Sequence, residues 1–486
     1  MESESFSLLE SDEMSNERQP LLISDTEQHS VSPPRPDIRN SPENIIVDGN
    51  EDDKSVDEDL YDPYKNRQLE HPTSNLETMI LLIKGNIGTG ILAMGDAFKN
   101  SGLYVGLFGT FILGFVCTHC MHMLVKCSHE LCVRVQVPSM NFSSVVYASF
   151  ETGPVALRKY SHLAKNLINL FLIITQIGFC CVYFVFVAVN LQEIVAHYWI
   201  KLDTQVFLIL LLIPMILVNL VKTLKYLTPF SFIASILTIV GLVICFYFML
   251  QDLPSIKSVK PFATWSQLPL FFGTAIYAFE GIGVVLPLEN NLKNPESFGA
   301  CAGILNIGML IVALLYTAVG FFGYLKYGEN VLGSITLNLG DNILAQIVRL
   351  MMALAIFLSY TIQFYVPVNI IGPWLRAQLH GETRRVFGDY ALRIGLVLIT
   401  FLLAVMIPNL EVVISLVGAI SSSALALIFP PLIEIITFWP NKLGKYNWIL
   451  IKDLVIILIG FLVFVFGTFT SLMQILHPEV LPNSGV

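Results

Sequence analysis

The sequence predicts an all-α membrane protein whose eleven apolar helices fall into two groups of five plus one. Three observations predict it. Of 486 residues, 54% are hydrophobic and 13% charged, whereas soluble globular chains carry about 25% charged residues. Eleven apolar runs lie near the length of about 20 residues that crosses a bilayer. Two of them, the first and the sixth, are interrupted by glycine near the middle.

Residues 1–75 are read as an acidic, disordered cytosolic tail. The first 70 hold nineteen Asp and Glu against six Lys and Arg. A stretch rich in Ser, Asp, Glu, Asn and Pro buries too little apolar surface to offset the entropy of ordering it. No apolar run precedes Thr78, so no cleavable signal peptide is expected. Two patterns, "ESFSLL" (Glu4, Leu8, Leu9) and "ERQPLL" (Glu17, Leu21, Leu22), set an acid four residues before a leucine pair. They resemble the acidic dileucine signals that clathrin adaptor complexes read for late endosomes and lysosomes. Two incidental leucine pairs on a plasma-membrane protein are the plainer alternative.

Residues 76–476 form the membrane domain. Hydropathy sets the spans at about 78–98, 103–126, 164–190, 204–221, 228–250, 268–290, 298–325, 343–371, 389–407, 411–437 and 449–475. With the N-terminus in the cytosol, the cytosolic loops and their margins carry fifteen Lys and Arg and the opposite side five. That is a positive-inside bias. An odd number of spans leaves residues 477–486 as a short non-cytosolic tail. The sequon Asn141-Phe142-Ser143 then faces the cytosol, where it is not glycosylated.

The first span contains "IKGNIGTGIL", residues 83–92, and the sixth contains "FEGIGVV", residues 279–285. Glycine costs roughly 1 kcal/mol against alanine inside a helix, so both helices are loosened where unpaired backbone is most expensive. Five spans separate them, so each opens one half of a five-plus-five arrangement. Paired interruptions at corresponding positions point to a transporter's binding site, where unwound backbone meets substrate and helix N-termini favour a carboxylate. The candidate substrate residues are Gly85, Asn86, Gly88, Thr89, Gly90, Phe279, Glu280, Gly281 and Gly283, with Tyr183 from the third span. The plainer alternative for the glycines is a small-residue face for helix packing.

Glu280 is the only carboxylate expected near a bilayer midplane. An ionisable group there is functional by default, although a protonated acid bridging the broken helix would fit equally well. Ser359 and Thr361 in the eighth span are candidate coupling or gating residues beside Glu280. Gln176, Gly178, Asn190, Tyr360, Gln363 and Tyr365 could order substrate or simply tie helices together. The second span ends "CTHCMHMLVKCSHELC", residues 117–132. Its Cys and His residues spread around the helix, sharing a face only in i,i+3 pairs, so neither a metal site nor another cofactor is expected. Cys180, Cys181, Cys245 and Cys301 are placed within apolar spans, and no disulfide framework follows. Nucleophile-elbow, zinc-protease and Walker A patterns are absent, as is any basic patch for nucleic acid; enzyme function has no support.

At these residues the chain resembles the proton-coupled amino acid transporter family, within the amino acid/auxin permease group. The resemblance runs from about Thr78 to Glu434. It rests on "KGNIGTGIL" (84–92), "TQIGFCCVYFVF" (175–186), "LFFGTAIYAFEGIGVVLPLEN" (270–290), "GSITLNL" (333–339), "QFYVP" (363–367) and "ISLVGAISSSALALIFPPLIE" (414–434). It implies a LeuT-like fold with broken helices 1 and 6, carrying small neutral amino acids such as alanine, glycine and proline, with protons as the candidate coupling ion. Two departures stand out. The family's proton-coupled members have a histidine in the first span where this chain has Leu81, and a luminal cysteine pair missing here from 191–204 and 325–342. The expected function is secondary transport of neutral amino acids with weak or no proton coupling. The alternative is a membrane amino acid sensor that signals to cytosolic partners with little net flux. A channel lacks the charged rings it would need.

Overall fold

The computed structural model describes residues 61–67, 69, 72–221, 224–440 and 442–477, without the side chains of 224–229. The two leucine-pair motifs and the rest of the tail lie outside the described residues. The regular structure among those described is helical, with one isolated bridge between Thr73 and Leu292.

The first span is two helices, Asn75–Asn86 and Thr89–Ser101, bent by 52° at Ile87-Gly88. It starts at a capping box: Ser74 Oγ accepts from the Glu77 N–H while the Glu77 carboxylate accepts the Ser74 N–H. The sixth span is likewise two helices, Leu268–Ala278 and Ile282–Asn290. The second span is Leu103–Val135, the third Ser161–Tyr198, the fifth Leu224–Leu250 and the seventh Ile304–Tyr327. The eighth is Ile343–Gln378, the ninth Glu382–Met406, the tenth Leu410–Phe438 and the eleventh Trp448–Leu476. Among the described residues, nine helices are long and apolar enough to cross a membrane and the bent first pair makes ten. The fourth segment, Thr204–Asn219, is apolar with 16 residues. At 1.5 Å per residue it spans about 24 Å, short of a core roughly 30 Å thick.

Two expectations need correction. The seventh helix starts at Ile304, not 298, because Pro295, Gly299 and Gly303 break an otherwise apolar stretch. Cys301 therefore sits exposed in a loop, not within a span; all eight cysteines are free thiols. Within the assigned tail, Tyr64, Arg67 and Thr73 are also bonded to the membrane domain.

Spans one and six, two and seven, three and eight, and four and nine are neighbours. Four of the five spans of the first half thus lie beside their counterparts in the second, and five is an odd number, so counterparts run in opposite directions. That is a five-plus-five inverted repeat of the LeuT type. The tenth span crosses the sixth where a Cβ on Gly418 would collide with the Gly273 carbonyl oxygen. Only glycine permits that crossing. The tenth helix widens into π turns at Gly418–Ser422 and Ala424–Ile428, a feature frequent at functional sites.

The halves of the first span differ in packing. Twelve of the thirteen residues of Thr89–Ser101 are buried, against only Thr78, Leu82 and Asn86 of Asn75–Asn86. Thr89–Ser101 is thus enclosed by protein, whereas Asn75–Asn86 is more exposed.

Candidate functional site

Both helix breaks open onto one cavity of about 280 Å³. Its walls are Gly85, Asn86, Gly88, Thr89 and Gly90 from the first span, Tyr277, Ala278 and Glu280 from the sixth, Phe179 and Tyr183 from the third, and Gln363 from the eighth. Glycine at three of its wall positions, 85, 88 and 90, leaves room beside the backbone for a small guest.

The first break supplies donors. Gly88 is the N-cap of Thr89–Ser101 and offers no capping side chain, so the N–H groups of the first turn are left for another acceptor. An uncapped helix N-terminus of this kind favours a carboxylate. Room exists because residue 88 is glycine: an added Cβ would stand 3.2 Å from Tyr183 Oη. Gly90 lets the two spans cross, since a Cβ there would fall 2.7 Å from Ala278 Cα. Gly85 faces Val284, and its Cβ would make an ordinary 3.4 Å contact.

The second break supplies acceptors and a charge-bearing group. Glu280 lines the cavity, and its Oε2 is buried without a hydrogen-bond partner among the described residues. Asn86 Oδ1 is in the same position, while Asn86 Nδ2 donates to the Leu82 carbonyl at 2.8 Å. Buried polar atoms are normally paired, so orphans facing a cavity point to water or a ligand. Thr89 Oγ1 and Tyr277 Oη are 2.7 Å apart, and Gln363 Nε2 donates to Tyr183 Oη at 3.4 Å. Phe179 stacks edge-on against Tyr277 at 4.8 Å. The polar groups are thereby held in place by neighbours of their own.

Tyr316 of the seventh span holds the two breaks together. Its hydroxyl lies 2.5 Å from the Asn86 carbonyl oxygen and 2.7 Å from that of Ala278, so one proton is shared between the last carbonyls of both leading half-helices. Its residue type alone gave no signal in the sequence. Tyr277, Phe179 and Ala278 were likewise not singled out there.

Not every expected residue reaches the cavity. Phe279, at the break itself, is fully buried against Tyr316 and Gly114. Gly281 backs onto the Asn86 amide, with an added Cβ 2.7 Å from Oδ1, and Gly283 faces Leu172. Ser359 and Thr361 donate to carbonyls of their own helix, Ala355 and Leu358, each at 2.8 Å. Lys84, unremarked in the sequence, donates to Ser231 Oγ at 2.6 Å across to the fifth span. Buried carboxylates other than Glu280 are present as well: Asp96, Glu289, Glu434 and Asp453, each nearer the end of a span than its middle.

Comparison with known proteins matches this architecture to one family. Residues 71–473 fit the family described as "Transmembrane amino acid transporter protein". The "Proton-coupled amino acid transporter-like protein pathetic" of Drosophila melanogaster is 41% identical over 418 residues, covering 85% of this chain and 88% of the relative. The "Probable amino acid transporter skat-1" of Caenorhabditis elegans is 28% identical over 418 residues, covering 83% and 91%. Among solved structures, the inward-facing conformation of Mhp1 aligns at a TM-score of 0.47 and 13% identity, over 85% of this chain and 90% of that one. With the family fit spanning both broken helices and every cavity wall, the chain belongs to the transmembrane amino acid transporter proteins.

Proposed function

We propose that the protein is a secondary transporter that moves small neutral amino acids of the alanine, glycine and proline class by alternating access. The observation that carries the reading is the cavity of about 280 Å³ shared by two broken helices, with uncapped amides on one side and Glu280 on the other. A zwitterion fits that division: its carboxylate meets the amides of Thr89 and Gly90, and its ammonium meets Glu280 and the orphaned Asn86 Oδ1. The tight walls at Gly88 and Gly90 favour short side chains.

Coupling follows from what can titrate. One relative carries proton coupling in its name, yet Leu81 stands here where the resemblance places a histidine, the side chain whose charge changes near neutral pH. Glu280 is the remaining proton carrier, and net proton coupling is weak or absent. The more exposed half-helix Asn75–Asn86 lies on the side that the charge bias assigns to the cytosol, so this conformation releases substrate inward. The acidic dileucine patterns at Glu4, Leu8, Leu9 and Glu17, Leu21, Leu22 send the protein to late endosomes and lysosomes through clathrin adaptors.

Purified full-length protein in liposomes tests the reading. Counterflow of radiolabelled alanine, glycine and proline should be saturable and largely insensitive to sodium. Tight alanine binding with negligible turnover would support the sensor instead, and no binding at all would remove the amino acid site.

A further inference from the structure

The stretch before the first span is fastened to the end of the sixth. Arg67 presents both arms of its guanidinium to Glu289, Nη1 to Oε1 at 3.0 Å and Nη2 to Oε2 at 3.2 Å, with the two side chains 4% and 0% exposed. The Arg67 Nε donates to the Pro138 carbonyl at 2.9 Å, and the guanidinium lies 5.1 Å from the Tyr64 ring centre. His129 of the second span adds a contact from Nε2 to Glu289 Oε1 at 2.9 Å, and the Tyr64 hydroxyl sits 2.8 Å from His129 Nδ1. Burial and the Glu289 charge push the Tyr64 hydroxyl up to about 12. It therefore stays protonated and able to pair with the His129 ring. Backbone bonds complete the splice: Thr73 N–H to Asn291 O at 2.8 Å, and Lys293 N–H to Thr73 O at 3.0 Å.

This splice joins the near ends of Asn75–Asn86 and Ile282–Asn290. At their far ends Gly85 and Asn86, and Glu280 in the break just before Ile282, line the cavity. The principal neighbours of the two half-helices are each other and spans two and seven. Ile80 and Val284, on their outer faces, are 55% and 40% exposed. A bidentate Arg–carboxylate pair fixes geometry as well as charge, and breaking a buried one leaves an uncompensated ion.

We propose that the Arg67–Glu289 clamp makes the two half-helices swing as one body, so that the mouth of the cavity opens and closes by their joint motion. Arg67 is then a positioning residue of the transport cycle and touches no substrate. The inference rests on the reading of the cavity as the amino acid site.

Thiol labelling tests it in the full-length protein. Cys301, the one exposed cysteine, is changed to Ser, and Ile80→Cys or Val284→Cys serves as reporter in separate chains. With Arg67 intact, saturating alanine should change the labelling rates of both reporters in parallel. In Arg67→Ala the Val284 reporter should keep its response while the Ile80 reporter loses it. Turnover should fall roughly five- to thirtyfold, the range by which one such interaction moves a two-state ratio, with alanine affinity unchanged. Arg67→Lys keeps the charge but loses the fork; it should fall between, and it carries the comparison if the alanine variant fails to fold. Parallel responses in both Arg67 variants would overturn the clamp. Reporters that ignore alanine even with Arg67 intact would overturn the substrate reading, and this inference with it.

Discussion

Gly88→Leu should abolish transport while leaving membrane insertion intact. The Cβ alone would stand 3.2 Å from Tyr183 Oη, a contact that a small shift of the tyrosine relieves. The remaining leucine carbons must enter the cavity of about 280 Å³ and cover the amides of Thr89 and Gly90. A hydrogen bond to a charged group contributes about 1.5–3 kcal/mol. Loss of two such bonds to a carboxylate costs about 3–6 kcal/mol, or roughly 10² to 10⁴ in affinity. Insertion should not suffer, because leucine is among the residues most readily accepted in a spanning helix. The assay pairs quantified surface protein with radiolabelled alanine uptake and equilibrium binding. Gly88→Ala, which adds only the Cβ, should retain measurable uptake. Wild-type uptake by Gly88→Leu at normal surface level would show that the broken helix is packing, not a site.

Tyr316→Phe removes the hydroxyl shared by the Asn86 and Ala278 carbonyls. Leaving buried acceptors unpaired costs about 1–3 kcal/mol, so thermal stability in detergent should drop and uptake should fall with it; an unchanged melting temperature would remove Tyr316 as the tie. Gly90→Ala places a Cβ 2.7 Å from Ala278 Cα, and overpacking of that kind costs about 1–3 kcal/mol. It should damage transport more than Gly88→Ala, and the opposite ranking would contradict the crossing geometry. Wild-type uptake should change little between pH 5.5 and 7.5, whereas Leu81→His should steepen the dependence; a strong inward proton current with alanine in the wild type would refute weak coupling. Changing Leu8, Leu9, Leu21 and Leu22 to Ala should move the protein to the cell surface, and an unaltered distribution would sink the sorting reading.

The helix breaks were legible because helix breaking is local. Glycines at 85, 88 and 90 and at 281 and 283 mark the interruptions within a residue or two of Ile87-Gly88 and Phe279–Gly281. What each neighbouring side chain faces was not legible. Phe279 adjoins Glu280 in sequence, yet its ring turns toward Gly114 and Tyr316. Tyr316 reads as one more aromatic in an apolar run, because its partners are 230 and 38 residues away. Composition misplaced two boundaries for a related reason. Hydropathy counts Phe298 to Gly303 as apolar but is blind to the backbone that Pro295, Gly299 and Gly303 impose. Acidic residues dominate the first 70 positions and hide the fact that Arg67 has a buried partner at Glu289, 222 residues on.

The central claim is that one amino acid lies between the two breaks, its carboxylate on the amides of Thr89 and Gly90. A cryo-EM map of the full-length protein in lipid at saturating alanine tests this directly. Density should fill the cavity bounded by Gly88, Tyr183, Tyr277 and Glu280, with its carboxylate within hydrogen-bond distance of those amides. An empty cavity at saturating alanine, or alanine bound elsewhere on the protein, would contradict the account.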